Sequence, residues 1–116
     1  MNQSYSVDDD CLIIRLQEEL DHHFTEQIRD NIDDIIINKR IRYIIIDFKE
    51  QSFMDSSGIG FIMGRYKKIA PYHGRIFVVN LGRNLERIFR ISGLYTITSV
   101  KDSVEKALCE VRGGKQ

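Results

Sequence analysis

Residues 41–64, IRYIIIDFKEQSFMDSSGIGFIMG, decide the fold of this chain. Their first part, IRYIIIDF, is rich in β-branched residues and almost continuously apolar, which is typical of a central strand covered on both faces. After DSSG, apolar residues recur at the spacing of one helix face, so a helix is predicted over residues 57–70, ending before Pro71. Gly60 and Gly64 are one helical turn apart and are expected to let this helix lie close to the sheet. A strand that leads directly into a helix is typical of an α/β protein.

The flanking sequence supplies further strands and helices. Residues 11–17 are predicted to form a strand that pairs as a hairpin with a shorter strand around Tyr5. Asp21 then precedes an amphipathic helix pattern and is a plausible N-cap. Two more strands are predicted over residues 76–79 and 95–100, each bounded by turn-forming residues.

The remaining elements complete one repeating pattern. A short helix is predicted to end at Gly93, and Asp102 with Glu105 resembles the N-cap and reciprocal partner of a last helix. The order ββαβαβαβα, with short connections, predicts an α/β fold with a mixed β-sheet of four to five strands packed with about four helices. A chain of 116 residues is expected to form a single domain over residues 1–116.

Composition excludes several classes of protein. The hydrophobic fraction of 42% and the charged fraction of 29% are ordinary for a globular protein, and the net charge of zero gives no electrostatic reason for nucleic-acid binding. The apolar runs are too short to cross a bilayer, and the N-terminus lacks the pattern of a secretory signal. We therefore expect a cytoplasmic protein with no nucleic-acid or membrane partner. Cys11 and Cys109 lie far apart in apolar patterns, which favours buried thiols over a disulfide or a metal site.

The segment Asp55-Ser56-Ser57-Gly58 lies at the predicted strand-to-helix junction. Free N–H groups and the positive end of the helix dipole make such junctions common places for binding sites. One interpretation is structural: Asp55, Ser56 or Ser57 caps the helix, and Gly58 permits a tight turn. A cap accounts for one or two of these polar residues and leaves at least one hydroxyl without a role.

Two chemical interpretations compete with the structural one. A serine nucleophile at Ser56 would need the G-x-S-x-G turn, but Met54 replaces its first glycine, and at most one of His22 and His23 could act as the base. GIGFIMG resembles a dinucleotide-binding turn but departs from its spacing, and no Walker A lysine occurs. We therefore predict no catalytic residue, metal site or cofactor, and keep weak nucleotide binding as the leading alternative.

Four stretches together, EELDHH, IRYIIIDF, FMDSSGIGFIMGRYK and ISGLY, resemble the anti-sigma-factor antagonists of the STAS-domain family, and most closely its sporulation members. The resemblance covers nearly the whole chain and implies a small α/β domain that is not an enzyme. It implies that the unphosphorylated protein binds an anti-sigma factor, itself a serine protein kinase, and so releases a sporulation sigma factor. Phosphorylation switches this binding off until a PP2C-like phosphatase restores the hydroxyl.

The same resemblance assigns the site. The phosphorylated residue is expected to be Ser56, the serine that follows the motif aspartate. The partner-binding surface is expected to comprise the motif and an upstream aspartate: Asp21, Asp55, Ser56, Ser57 and Gly58. Related sequences commonly carry glycine at the position of Glu19, so this chain departs from the pattern there. Physical reasoning on the sequence alone leaves both Ser56 and Ser57 as candidates for phosphorylation.

A helix N-terminus suits a phosphorylation switch. A phosphoryl group adds a charge of about −1.5 to −2, which the helix dipole and free amides favour by about 0.3 to 1 kcal/mol. Across an interface, the same dianion must be desolvated or find cations. We therefore expect phosphorylation of Ser56 to change partner binding far more than stability.

Overall fold

The computed structural model describes residues 3–113, whose strands and α-helices follow one another in the predicted order ββαβαβαβα. The strands are β1 (Gln3–Asp8), β2 (Cys11–Leu16), β3 (Tyr43–Asp47), β4 (Arg75–Val79) and β5 (Thr98–Lys101). The helices are α1 (His22–Asn38), α2 (Ser56–Ile69), α3 (Arg83–Ser92) and α4 (Val104–Gly113). Within these described residues, no helix combines the length and apolar character needed to cross a membrane.

All five strands lie in one sheet, in the order β1-β2-β3-β4-β5. The hairpin partners β1 and β2 are antiparallel, and each later strand is parallel to the one before it. The predicted α/β fold with a mixed sheet and about four helices is thereby confirmed. Because β2, β3 and β4 run in the same direction, the segments that follow them emerge at the same edge of the sheet.

The central strand β3 is buried on both faces, as its apolar run predicts. Successive side chains of a strand point to opposite faces. Ile44 and Ile46 belong to the larger core with residues of α1, α2 and α3, whereas Ile45 packs in a second core with Ala107 and Val111 of α4. Helices on both faces explain why IRYIIIDF shows no polar alternation.

The close approach of α2 depends on a different glycine from those predicted. A Cβ atom at Gly58 would lie 2.4 Å from the carbonyl oxygen of Leu20, which is far inside contact distance. A Cβ at Gly60 or Gly64 would meet nothing within 4 Å. The prediction that Gly60 and Gly64 bring the helix to the sheet is wrong, because open space surrounds both positions.

The strand predicted over residues 95–100 is wrong in its first half. Gly93 has a φ of 82° and ends α3, after which Leu94–Thr96 form a short 3-10 turn. The hydroxyl of Thr96 donates a hydrogen bond of 2.6 Å to the carbonyl of Gly93, which stabilises this turn. The strand β5 therefore begins only at Thr98.

Two details of the last helix also differ from prediction. The hydroxyl of Ser103 accepts a 3.1 Å hydrogen bond from the N–H of Lys106, so Ser103 caps α4 and Asp102 instead pairs with the Lys106 ammonium at 3.2 Å. Cys11 is buried as predicted, but Cys109 is exposed. The apolar pattern around Cys109 covers only one face of α4, and the thiol lies off that face.

Candidate functional site

Two helix N-termini meet at the edge of the sheet where β2 and β3 end. Asp21 caps α1 and accepts a 2.9 Å hydrogen bond from the N–H of Phe24. Asp55 caps α2, and both caps have extended backbone angles, with φ of −102° and −100°. Since β2 and β3 are parallel neighbours, the helices that follow them begin side by side. The positive ends of two helix dipoles therefore converge on this edge.

The carboxylate of Asp55 joins these two helix N-termini. Its Oδ1 accepts hydrogen bonds from the N–H groups of Ser57 at 2.8 Å and Gly58 at 3.3 Å. Its Oδ2 accepts a hydrogen bond from the N–H of His22, the first residue of α1, at 3.1 Å. The structural interpretation of the motif is thus correct for Asp55, and one side chain satisfies free amides of both helices.

Gly58 lets the two junctions pack against each other. Leu20, just before α1, and Met54, just before α2, form an isolated parallel bridge. A side chain at Gly58 would overlap the Leu20 carbonyl oxygen and lie 2.9 Å from the Met54 Cβ. Glycine is therefore required here for close approach of the backbone, not for an unusual φ angle.

Glu19 holds the segment that leads to the motif. Its carboxylate accepts hydrogen bonds from the backbone N–H groups of Ser52, at 3.1 Å, and Phe53, at 3.0 Å. Asn84 of α3 donates a 2.8 Å hydrogen bond to the carbonyl of Ser52 from the other side. No local sequence pattern marks these roles, because each contact joins residues more than thirty positions apart.

Ser56 and Ser57 occupy different environments despite being adjacent. Ser56 is the first residue of α2 and is exposed, and its hydroxyl makes no hydrogen bond to any other described residue. Ser57 is half-buried, and its Oγ lies 3.4 Å from Nδ1 of His22. The structure thus distinguishes two hydroxyls that the sequence alone left equivalent: Ser56 is free and accessible, whereas Ser57 faces the neighbouring helix.

The exposed face of α2 carries an apolar surface beside Ser56. Residues four and seven positions after Ser56 lie on the same face of a helix, which here brings Gly60 and Met63 into line with it. Met63 is 42% exposed, and Phe53, just before the motif, is 49% exposed. Because Gly60 has no side chain, this face is flat between Ser56 and Met63. Large apolar side chains at the surface next to a free hydroxyl are suited to contact with another protein.

A buried ion pair fixes α2 against α1. Nε of Arg65 lies 3.0 Å from Oδ1 of Asp33, and only 6% of Arg65 is exposed. Burial lowers the pKa of the Arg65 guanidinium, and the nearby Asp33 carboxylate opposes that shift. The guanidinium also lies over the ring of Phe61, 4.8 Å from its centroid. These contacts set the position of the helix whose first residue is Ser56.

His22 and His23 are adjacent at the start of α1. His22 lies against Ser57, whereas His23 contacts Gln27 at 2.8 Å, so their side chains serve different neighbours. No carboxylate bonds to the His22 ring in the described part of the chain, so an orienting acid for a serine nucleophile is missing there. Across residues 3–113, no group of three or more potential ligands is arranged for a metal ion.

All five predicted site residues lie at the facing N-termini of α1 and α2. Asp21, Asp55 and Ser57 are half-buried, Ser56 is exposed and Gly58 is buried. The expectation that Asp21 lies near the motif agrees with the hydrogen bond that links its neighbour His22 to Asp55. Phe53, Met63 and Glu19 are further members of this surface that the predicted site did not include.

Comparison with known proteins identifies the family. The model of the STAS domain matches residues 2–107. The anti-sigma F factor antagonist of Paenibacillus polymyxa is 38% identical over 100 residues, which cover 86% of each chain. The unphosphorylated anti-sigma factor antagonist SpoIIAA is 34% identical, with a TM-score of 0.78 over 96% of this chain and 98% of that one. The phosphorylated form of the Bacillus protein SpoIIAA gives a TM-score of 0.75 at 34% identity, over 94% of this chain and 98% of that one. The chain therefore belongs to the STAS-domain family, among its anti-sigma factor antagonists.

Proposed function

We propose that this protein is an anti-sigma factor antagonist controlled by phosphorylation of Ser56. In the unphosphorylated form it binds an anti-sigma factor that is also a serine protein kinase, and this releases a sporulation sigma factor. The relatives named for sigma F favour that sigma factor as the one released. Transfer of a phosphoryl group from ATP to Ser56 ends the binding, and a PP2C-like phosphatase restores it. A regulator of this kind acts in the cytoplasm, as one domain over residues 1–116, and is not itself an enzyme.

The observation that carries the proposal is the contrast between Ser56 and its surroundings. Its hydroxyl is exposed and makes no hydrogen bond within residues 3–113, whereas Asp55 and Gly58 next to it are held by several contacts. A kinase needs an accessible hydroxyl, and a backbone that is already ordered loses less entropy when the kinase binds it. Ser57 meets this requirement less well, because it is half-buried beside His22.

The charge added at Ser56 should be tolerated within the molecule. Two helix dipoles point their positive ends at this edge, and each favours a nearby anion by about 0.3 to 1 kcal/mol. The carboxylate of Asp55 opposes this, since it already occupies the amides of Ser57 and Gly58. Because the two effects oppose each other, we expect a small net change in stability. That both forms of SpoIIAA align with this chain over more than nine tenths of its length supports a switch without refolding.

The same charge should be poorly tolerated in a complex. The proposed partner-binding surface comprises Asp21, Asp55, Ser56, Ser57 and Gly58, so it already contains two carboxylates. A phosphoserine dianion among them would be desolvated by a partner that fits the free hydroxyl, and desolvation of an uncompensated charge costs several kcal/mol. Phe53 and Met63 supply apolar contact area whose burial depends on close approach at Ser56.

The test is a phosphorylation assay with site identification. The purified protein is incubated with the anti-sigma F factor kinase and ATP, and intact and proteolysed protein is analysed by mass spectrometry. We expect one phosphoryl group per chain at Ser56, none in Ser56→Ala, and normal labelling in the matched variant Ser57→Ala. Labelling of Ser57, or undiminished labelling of Ser56→Ala, would contradict the proposal. Addition of a PP2C-type phosphatase should return the mass to that of the unmodified chain.

Weak nucleotide binding is less well supported than partner binding. A phosphate at the N-terminus of α2 would need the amides that the Asp55 carboxylate already occupies. Gly60 has open space around it, but the two cations that line the pocket beside it, Arg29 and Arg65, already pair with Glu26 and Asp33. A rise in Tm on addition of ATP or GTP to the isolated protein would favour the nucleotide alternative.

A further inference from the structure

A concave site lies at the end of the sheet opposite Ser56. It is a pocket of about 540 Å³ formed where Asp10 and Arg42 lead into β2 and β3 and where α1 and α2 end. Ser56 follows the other end of β3, so the length of that strand, about 16 Å, separates the two regions. The pocket is therefore outside the proposed partner-binding surface. We call it the distal pocket.

The walls of the distal pocket are largely apolar. They are formed by Ile36, Ile37, Ile41 and Tyr72. Ile37 and Tyr72 are each 67% exposed, which is unusual for side chains of this size. Pockets of about 300 to 1,000 Å³ with apolar walls and a few polar groups are typical of small-molecule sites. The size and lining of the distal pocket fit that class.

The charged groups of the distal pocket are predominantly cationic. Arg40, Arg42 and Lys68 line it, against a single carboxylate, Asp10. Arg42 donates a 2.8 Å hydrogen bond from Nε to the carbonyl of Tyr72, and the Lys68 ammonium lies 4.0 Å from the carboxylate of Asp33. The guanidinium of Arg40 makes no hydrogen bond or ion pair with any other described residue. A cation without a partner beside apolar walls is available to an external anion.

The backbone of Arg40 has a left-handed conformation that is unfavourable for any residue other than glycine. Arg40 follows Lys39, the C-cap of α1, and has a φ of 53°. Glycine is the usual residue just after a helix in this left-handed conformation, because a Cβ atom is disfavoured there. The arginine therefore lowers stability relative to glycine, and its side chain provides a charge at the pocket that glycine could not. Residues held in sparsely populated backbone conformations cluster at ligand-binding and active sites.

We propose that the distal pocket binds a small amphipathic anion, an acyl chain or ring that carries one carboxylate or phosphate group. The anionic group is held by Arg40, with Arg42 and Lys68 nearby, and the apolar part packs against Ile37 and Tyr72. The concave shape favours a single small molecule over a flat membrane surface. This site is independent of Ser56 and of the proposed function.

The test begins with a fluorescence titration that uses anilinonaphthalene sulfonate, an aromatic anion, as the probe. Decanoate, decyl phosphate and the uncharged decanol are then compared as competitors. Decanoate or decyl phosphate should displace the probe, and decanol should displace it much less. Changes in backbone NMR shifts on adding the effective anion should centre on residues 36–42, 68 and 72. Absence of saturable probe binding, equal displacement by decanol, or shifts centred on Phe53 and Met63 would overturn the proposal.

Two substitutions to glycine distinguish the effect of losing the Arg40 charge from the effect of relieving an unfavourable backbone conformation. Arg40→Gly should weaken anion binding by roughly tenfold or more, because a charge-assisted contact is lost, while Tm rises. Glu50→Gly is the matched control, since Glu50 also has a positive φ, 71°, but lies outside the pocket. It should raise Tm and leave binding unchanged. Wild-type affinity in Arg40→Gly would overturn the proposal, as would binding to phosphatidylglycerol vesicles without binding to the free anions.

Discussion

The β3–α2 and β4–α3 junctions occupy equivalent places in the fold and are built very differently. Each connects a parallel strand to the helix that crosses back over the same face of the sheet. At the first junction, the carboxylate of Asp55 accepts three backbone hydrogen bonds and Gly58 is wedged against Leu20. At the second, Gly82 caps α3 with no side-chain hydrogen bond, and a Cβ there would meet nothing within 4 Å. The fold can therefore be made with a simple junction.

The extra contacts of the β3–α2 junction are consistent with the proposed role of Ser56 in partner binding. They fix the backbone on both sides of Ser56 while leaving its hydroxyl free. A binding surface that is ordered in advance loses less entropy when a partner docks. The β4–α3 junction carries no comparable group, and its simple cap is sufficient for folding.

The largest expected difference in stability is between two glycine-to-alanine substitutions, one at each junction. Gly58→Ala should lower the free energy of unfolding by about 2 to 3 kcal/mol, because its Cβ overlaps the carbonyl oxygen of Leu20 and the backbones must separate. Gly82→Ala should cost less than about 1 kcal/mol, since the site is open and its φ of −79° suits alanine. Urea denaturation of both variants measures the difference, and equal losses would remove the contrast between the junctions.

Removal of the shared cap should have the next largest effect. Asp55→Ala leaves the amides of His22, Ser57 and Gly58 without their acceptor and should cost about 2 kcal/mol. Amide hydrogen exchange should quicken at the first turns of both α1 and α2. Faster exchange at α2 alone would show that the bond to His22 contributes little, and the two helix N-termini would then be independent.

Loss of the Glu19 contacts should have a smaller effect on stability. Glu19→Ala removes the acceptor of the Ser52 and Phe53 amides and should cost about 1 kcal/mol, since water can replace part of the lost bonding. The adjacent Glu18→Ala is the control and should change stability by less than about 0.5 kcal/mol. Thermal and urea denaturation measure both, and equal effects would mean that Glu19 does not hold this segment.

The smallest expected effect comes from adding a side-chain cap to the β4–α3 junction, which has none. Gly82→Ser supplies a hydroxyl at the N-cap of α3 and should raise the free energy of unfolding by about 0.3 kcal/mol. Kinase binding should be unaffected, because the β4–α3 junction lies outside the proposed site. A large change in binding would extend the partner surface to α3, and a loss of stability would mean that the open cap is required.

Local patterns predicted most of this fold and part of the site. The apolar run in β3, the helix spacing after DSSG and the cap Asp21 each depend on near neighbours in sequence, so the sequence alone predicts them. The cap of α2 was predicted only as one of Asp55, Ser56 and Ser57. Together with the family resemblance, these patterns also indicated the five site residues. The local patterns without the resemblance could not distinguish Ser56 from Ser57, because that difference depends on His22, thirty-five positions from Ser57.

The features that the sequence did not predict depend on contacts between distant residues or on which face of a helix is exposed to solvent. Glu19 acts on Ser52 and Phe53 across the sheet edge, and no spacing rule connects them. Gly60 was expected to pack against the sheet, but the glycine pattern does not say which face of α2 each glycine occupies. A single sequence records residue types along the chain, whereas these roles depend on the packing of α1 against α2.

The most direct test of the central claim compares binding and stability in charge variants of the two serines. Isothermal titration calorimetry with the anti-sigma F factor kinase is performed on Ser56→Ala, Ser56→Asp and Ser57→Asp, and each Tm is measured in parallel. We expect Ser56→Ala to bind like the wild type and Ser56→Asp to bind at least about tenfold more weakly. The Tm of Ser56→Asp should stay within about 4 °C of the wild-type value, and Ser57→Asp should bind better than Ser56→Asp. Equal binding by Ser56→Ala and Ser56→Asp, or weak binding explained by unfolding of Ser56→Asp, would contradict a switch that acts through charge at Ser56.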